Sequence, residues 1–246
     1  MQFEHAPQLR DAYPDLVAGV VLADGITATT DVSARTAGYL AAAQGRLVGG
    51  AESGFPEIQA WRRAYAAMGL RPTRYRCAAE ALLRRLRLDG ELPRVHPLVD
   101  LCNAISAAYA IPVAVLDLDR VDGDLVVRPA HGDEAYLSFA GDTEHPEPGE
   151  VTFVDSAGRA HARRWTNRQS GWSAVRAGTS SVLIVAEALH PGGEPAVTRL
   201  VAALVTELTD GWSASTAAAV LTTAAPRFRA SAADDDRGQA VSPGTR

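Results

Sequence analysis

Charged and amide side chains and a histidine interrupt an apolar stretch, VHPLVDLCNAISAAYAIPVAVLDLD (95–119): His96, Asp100, Asn103, Asp117 and Asp119. A core helix running into a core strand needs none of them. His96 and Asp100 suit a helix start, where side chains meet free backbone N–H groups. Asn103 suits either a helix-to-loop hydrogen bond or a polar ligand, and Asp117 either orders the following turn or faces a pocket. Glu80 lies mid-helix among small residues in RCAAEALLRRL. A carboxylate there is costly unless paired; Arg84, four residues on, is the expected partner, and a substrate contact is the other reading. Arg128 and His131, in VVRPAHGDE, suit a phosphate, a carboxylate or a surface salt bridge.

Other chemistry is missing at the level of motifs. There is no phosphate loop, no Gly-x-Ser-x-Gly elbow and no pair of histidines at metal-ligand spacing. His96, Asp100 and Cys102 do not converge on one helical face, so no metal and no cofactor are expected. Nucleophile–His–acid triads assemble in space rather than in sequence, and nothing here argues for one. Two cysteines, Cys77 and Cys102, give no disulfide framework and read as buried thiols.

The net charge of −5 gives no global attraction to nucleic acid, and DNA is not expected as a partner. The 24 basic residues are all arginine, and nine fall between Arg62 and Arg94. Arginine suits bidentate phosphate contact, so Arg74, Arg84 and Arg85 are candidate RNA contacts; helix faces closed by ion pairs are the alternative. No apolar run reaches the roughly 20 residues of a membrane span. The start, MQFEHAPQLRDAYPDLV, has acids where a signal peptide needs basic residues, so a cytoplasmic protein is expected.

Hydrophobic residues make up 47% of 246, enough for a core. Periodicity predicts a strand at 16–26, helices at 30–49, 56–70, 74–90 and 96–110, and a strand at 111–121. In the helix at 74–90, Cys77, Ala78, Ala81, Leu82 and Leu86 are expected to face inward. Short strands follow at 123–130, 134–141, 150–158 and 162–167, then a buried strand at 179–189 and a helix at 195–212. TAAAVLTTAAP (216–226) reads as a final turn or short helix. The expected organisation is one α+β domain, mixed sheets packed with helices. Residues 1–55 form its N-terminal part and 56–226 its main part, with a disordered tail at 227–246.

Four strings occur in order: RCAAEALLRRL, LPRVHPLVDLCNAISAAYAIPVAVLDLDRVDGDLVVRPAHGDE, VTFVDSAGRAHARRWTNRQSG and AGTSSVLIVAEA. Together they resemble the editing domain of the phenylalanyl-tRNA synthetase beta subunit, the B3/4 domain, over roughly residues 60–190. The resemblance implies an α+β hydrolytic pocket that removes a wrongly attached amino acid from the 3′ end of tRNA. It implies catalysis by a positioned water and the terminal ribose hydroxyls rather than by a side-chain base. Asn103 and Asp117 match positions near that pocket; with His131 they form the expected catalytic set. Glu80, Arg128, Asp155, Arg168 and Glu187 are expected to bind substrate. Arg163, Arg164 and Trp165 join the arginine-rich helices as RNA contacts, with Trp165 or Trp172 able to stack an adenine.

Two departures stand out. Synthetase relatives carry a histidine two residues after the proline that opens the strand, where this chain has Ala114. They carry a tyrosine-reading glutamate six residues after a threonine, where this chain has Val185, with Glu187 two residues on and on the same face. A site lacking its hydrogen-bonding partner rejects that substrate, so the expected amino acid is not tyrosine. Three functions fit: a trans-acting aminoacyl-tRNA deacylase, a non-catalytic tRNA or RNA-binding module, or a small-molecule amino-acid-binding protein using the same pocket. Nothing in the sequence sets the oligomeric state.

Overall fold

Proline and glycine set most of the boundaries. Pro56 and Pro97 occupy first helical turns, where a missing N–H costs nothing. Gly90, at φ 80°, ends its helix in the left-handed conformation. The computed structural model describes residues 1–230. In chain order the elements are β1 (Gln2–His5), α1 (Pro7–Ala12), β2 (Val17–Asp24), α2 (Ser33–Val48), α3 (Pro56–Ala67), α4 (Ala78–Asp89), α5 (Pro97–Tyr109), β3 (Val113–Asp117), β4 (Leu125–Pro129), β5 (Ala135–Leu137), β6 (Thr143–Glu144), β7 (Val151–Asp155), β8 (Arg159–Ala160), β9 (Ala162–Arg163), β10 (Arg168–Gln169), β11 (Ser181–Ala188), α6 (Glu194–Trp212), β12 (Ser215–Leu221) and β13 (Arg227–Arg229).

The architecture is mixed α+β. A four-stranded antiparallel sheet runs β12-β2-β11-β3, and a seven-stranded mixed sheet runs β13-β1-β4-β7-β8-β5-β6. β9 and β10 form a separate two-stranded ribbon. β11 is buried on both faces, which explains its unbroken apolar run. Val182, Ile184 and Ala186 pack with Leu101 and Ile105 of α5 and Leu204 of α6. Leu183 and Val185 join a second core with Phe3 and Phe153 of the larger sheet and with Trp61, Tyr65 and Leu83 of α3 and α4. α6 lies tightly on β2 because residue 19 is glycine: a Cβ there would stand 2.4 Å from Val201 Cγ2.

The structure corrects several boundaries. Residues 74–77 stay outside α4, since the chain there docks on the loop at 166–167: Ala78 N donates to Thr166 O at 2.8 Å and Asn167 Nδ2 to Arg76 O at 2.8 Å. The inward face of α4 is Ala79, Glu80, Leu83 and Leu86, while Ala81 is exposed. The strand expected at 162–167 stops after Arg163, where two left-handed residues turn the chain. Residues 215–221 form β12, paired along its length with β2, so the ladder overrides the helical preference of alanine. β1 and α1 had no counterpart in the sequence reading. Residues 227–229, expected in the tail, pair with β1 and bury Phe228; residues 231–246 of that tail lie outside the described residues. Both cysteines are buried, and burial pushes both thiols up to about 12.

His96 caps α5: its Nδ1 accepts from Leu98 N at 3.2 Å, and Asp100 Oδ1 accepts from Val95 N at 2.8 Å. Burial holds the His96 pKa below its ordinary value, against an opposing pull from Asp100. The unfolded chain therefore takes up this proton more readily, and stability falls as pH drops below about 6.5. His190 is lowered by burial in the same way. His96→Asn keeps a capping acceptor and removes one titration, so the fall in urea midpoint between pH 7.5 and 5.5 shrinks; an unchanged fall counts against the assignment.

Candidate functional site

One cleft joins residues from both sheets, α4 and the loop after β9. Its cavity volume is about 70 Å³, and it opens to solvent at its mouth. Pro112, Val113, Ala114 and Leu116 form one wall, Phe153, His161 and Ala162 another. Trp165 through Gln169 close the third side, and Ala78 marks the start of α4. Most of this lining is apolar, and Glu187 is the one carboxylate in it.

Glu187 is 1% exposed. When ionised, its Oε1 accepts from His5 Nε2 at 2.6 Å and from Trp165 Nε1 at 2.9 Å. Oε2 receives no hydrogen bond among the described residues, leaving an acceptor for a ligand in the cleft. Two amides nearby are anchored through their nitrogens: Gln169 Nε2 donates to Val115 O and Asn167 Nδ2 to Arg76 O. Their oxygens remain available. The polar lining is thus rich in acceptors, which suits a ligand with hydrogen-bond donors or a cationic group.

Backbone strain aims the indole. Arg164 and Trp165 both have positive φ, 51° and 60°, each costing on the order of 1–3 kcal/mol for a non-glycine residue. The turn is held by Trp165 N on Val151 O at 2.6 Å and Arg164 N on Glu150 Oε1 at 2.8 Å. It drives Trp165 between Trp61 and Tyr13, with centroids 4.9 and 5.1 Å away, and puts Nε1 on Glu187. Trp165 is fully buried, so the expected adenine-stacking role falls to packing and orientation. Trp172 is half-buried, with Nε1 on Ala135 O at 3.1 Å.

A buried chain of hydrogen bonds backs the second wall. Asp155 Oδ2 meets His161 Nε2 at 3.1 Å, and His161 Nδ1 meets Ser173 Oγ at 2.9 Å. Burial pushes the Asp155 carboxyl up, but His161 and the N–H groups of Arg159 and Asp122 outweigh it and leave it below the ordinary range. An ionised Asp155 makes His161 Nε2 the donor, so a neutral ring accepts the Ser173 proton at Nδ1. All three residues are at most 5% exposed, and Ser173 does not line the cleft. With both ring nitrogens engaged, His161 shapes the wall and is not a free base. In the sequence His161 carries a single signal, an aspartate six residues ahead in DSAGRAH.

The expected catalytic set is not brought together. Asn103 lies in a different depression, with Ser33, Leu92 and Arg94. Asp117 accepts from Asp119 N at 3.2 Å and Thr179 Oγ1 at 2.7 Å and orders the turn that follows. His131 is exposed on a loop. Its side chain, Asp133 and Glu134 offer atoms within 4.8 Å of one another. Glu134 is nevertheless occupied by Arg128 Nη1 at 2.6 Å and by the N–H groups of His131 and Gly132. These donors outweigh burial and hold its carboxyl at about 2. Arg128 is thus a turn clamp.

Among the expected substrate and RNA contacts, Glu187 and Arg168 line the cleft. Arg168 stands exposed at its mouth, 3.4 Å from Glu144. Glu80 is buried and pairs with Arg62 and, at 3.6 Å, Arg76, not with Arg84; residues 62 and 76 approach it from outside α4. Four of the nine clustered arginines, Arg62, Arg76, Arg85 and Arg87, sit in ion pairs. Arg63, Arg71, Arg74, Arg84 and Arg94 are exposed and form none among the described residues. Arg164 lies over the Tyr75 ring at 4.7 Å, with Arg74 at 5.2 Å from the same ring. Arg163 is 4% exposed, too buried to meet RNA.

A family model described as the B3/4 domain matches residues 60–194. Among solved structures, an N-terminal fragment of the phenylalanyl-tRNA synthetase beta-subunit from Pyrococcus horikoshii superposes with a TM-score of 0.48 at 9% identity. That match covers 87% of this chain and 49% of the fragment, so the chain spans about half of it. No curated protein matches the chain.

Arg163 donates to Glu150 at 2.6 and 3.0 Å and to Glu144 at 2.8 Å. Removing one partner of a buried pair leaves an uncompensated charge, at a cost of about 3–5 kcal/mol. Arg163→Ala should lower stability by that order in urea denaturation. A loss below about 1 kcal/mol coupled to weaker tRNA binding would return Arg163 to the RNA surface.

Proposed function

The chain belongs to the B3/4 domain family, and from that membership we propose that its cleft takes the aminoacyl end of a charged tRNA and hydrolyses the ester. The observation that carries this reading is the open oxygen of Glu187, the one carboxylate of a largely apolar cleft. Such a lining suits an amino-acid side chain, with a few acceptors, Glu187 the charged one, to select among side chains. The cleft holds no side chain with a free base nitrogen. Catalysis is therefore assigned to a held water and the terminal ribose hydroxyls, with the rate coming from positioning and charge stabilisation.

Glu187 also bears on substrate choice. Tyrosine is disfavoured only where the carboxylate is missing; with Glu187 in the cleft, side chains bearing a hydrogen-bond donor, tyrosine among them, are favoured. The exposed arginines at 63, 71, 74 and 84, with Arg168 at the mouth, supply the phosphate contacts. Binding through them weakens steeply with salt. A non-catalytic tRNA-binding role is the second reading, favoured by the absence of a free base.

The test is a panel of tRNAs charged with each proteinogenic amino acid, following the ester bond. Deacylation of one or a few is expected, and Glu187→Gln should lower kcat/KM for a donor-bearing side chain by about 10- to 100-fold, the worth of a charged hydrogen bond. A gel shift without deacylation leaves the binding module. Neither deacylation nor a shift at low salt sinks both RNA readings.

A further inference from the structure

Among the described residues β3 is the outer strand of its sheet and pairs only with β11. In an antiparallel pair, each residue turns its N–H and C=O together, toward the partner or away from it. Glu187 N donates to Pro112 O at 3.1 Å. Pro112, Ala114 and Leu116 therefore face β11, and Val113, Val115 and Asp117 face outward. Two outward groups are met by the protein: Asp117 N by Ser173 O at 2.9 Å, and Val115 O by Gln169 Nε2. Val113 C=O and Val115 N–H have no partner among the described residues. They flank Ala114 where Val113 and Ala114 line the cleft. Val115 is 5% exposed, and unpaired backbone groups in so closed a position are rare in folded proteins.

Side-chain alternation selects what can pair there. Ala114 stands opposite Val185, on the face that also carries Glu187, while Val113 and Val115 point to the core under α5 and α6. A single residue pairing in the parallel sense opposite Ala114 donates to Val113 C=O and accepts from Val115 N–H. Its side chain then falls beside Ala114, into the cleft with Glu187. Pairing opposite Val113 would send the side chain to the wrong face.

We infer that this edge holds the main chain of the aminoacyl group, its α-ammonium on Val113 C=O and its ester carbonyl on Val115 N–H. The inference rests on the deacylase reading and adds how the substrate is gripped. Water oxygen adds to the carbonyl carbon, and negative charge builds on the oxygen facing Val115 N–H. The bond to the ribose oxygen then breaks; one water proton ends on that oxygen and the other leaves with the freed carboxylic acid. Main-chain capture is the same for every L-amino acid, and Glu187 reads the side chain. A D-amino acid held by the same two groups points away from the cleft.

The probes are the amide-linked 3′-aminoacylamino-3′-deoxyadenosines of L-alanine, L-serine and L-tyrosine, their D forms and their des-amino forms, titrated into ¹⁵N-labelled protein. For the L forms the Val115 amide proton moves downfield and its solvent exchange slows, and the D and des-amino forms bind at least about ten-fold more weakly, the factor one lost hydrogen bond gives. Val115→Pro removes the donor and lowers kcat/KM by about 100-fold for every substrate alike, as loss of one oxyanion donor does. If that variant does not fold, the amide signal still decides. L forms that bind with the Val115 amide unmoved, or D and des-amino forms that bind as tightly, overturn the edge while leaving the deacylase reading intact. No binding of any L form, with no deacylation in the panel, removes both.

Discussion

The cleft depends on one buried oxygen. Glu187 Oε1 is shared by a histidine from β1 and an indole from the loop after β9, so a single carboxylate ties the larger sheet, the smaller sheet and the loop together. A buried carboxylate without such donors is expensive enough to be avoided. The two donors satisfy one oxygen and, by doing so, turn the other toward the cleft. The strained pair Arg164–Trp165 follows from the same requirement: the chain must turn sharply after β9 for the indole nitrogen to reach Glu187. Structure and proposed chemistry thus meet in one side chain.

How legible was this in the sequence? The helices α3, α5 and α6 and the strand β11 could be read from apolar period and flanking proline or glycine. What failed was where tertiary pairing decides: Ala-rich β12 is a strand because β2 offers a ladder, and Phe228 is buried because β1 lies beside it. At the site, Glu187 was reachable through the family resemblance and strand parity. Asn103, on the other hand, shares the apolar stretch that continues into the cleft wall but lies in another depression, since helix and strand diverge after Ala110. His5 and His161 were illegible, because their roles are set by partners brought in by the fold, not by neighbours in the chain.

The arginines teach a related lesson. A run of nine reads as a phosphate-binding face, and the carboxylates that answer it are remote. Glu52 takes Arg87 and Glu80 takes Arg62, across 35 and 18 positions. Arg163, a neighbour of two basic-looking positions, is enclosed by Glu144 and Glu150. Local charge counts overstate a basic surface wherever buried acids come from elsewhere; five of the nine arginines, at 63, 71, 74, 84 and 94, stay exposed without an ion pair among the described residues.

The contact between His5 and Glu187 spans 182 positions. Contacts that close so long a loop form slowly, because chain entropy is lost before the contact rewards it. The ladders of β2 with β11 and β12, and of β1 with β13, are equally non-local. The cleft is therefore completed together with the sheets that carry it, whose ladders close loops of similar length. It also draws on a residue outside the matched span of 60–194, so the span that defines the family does not by itself contain the whole site.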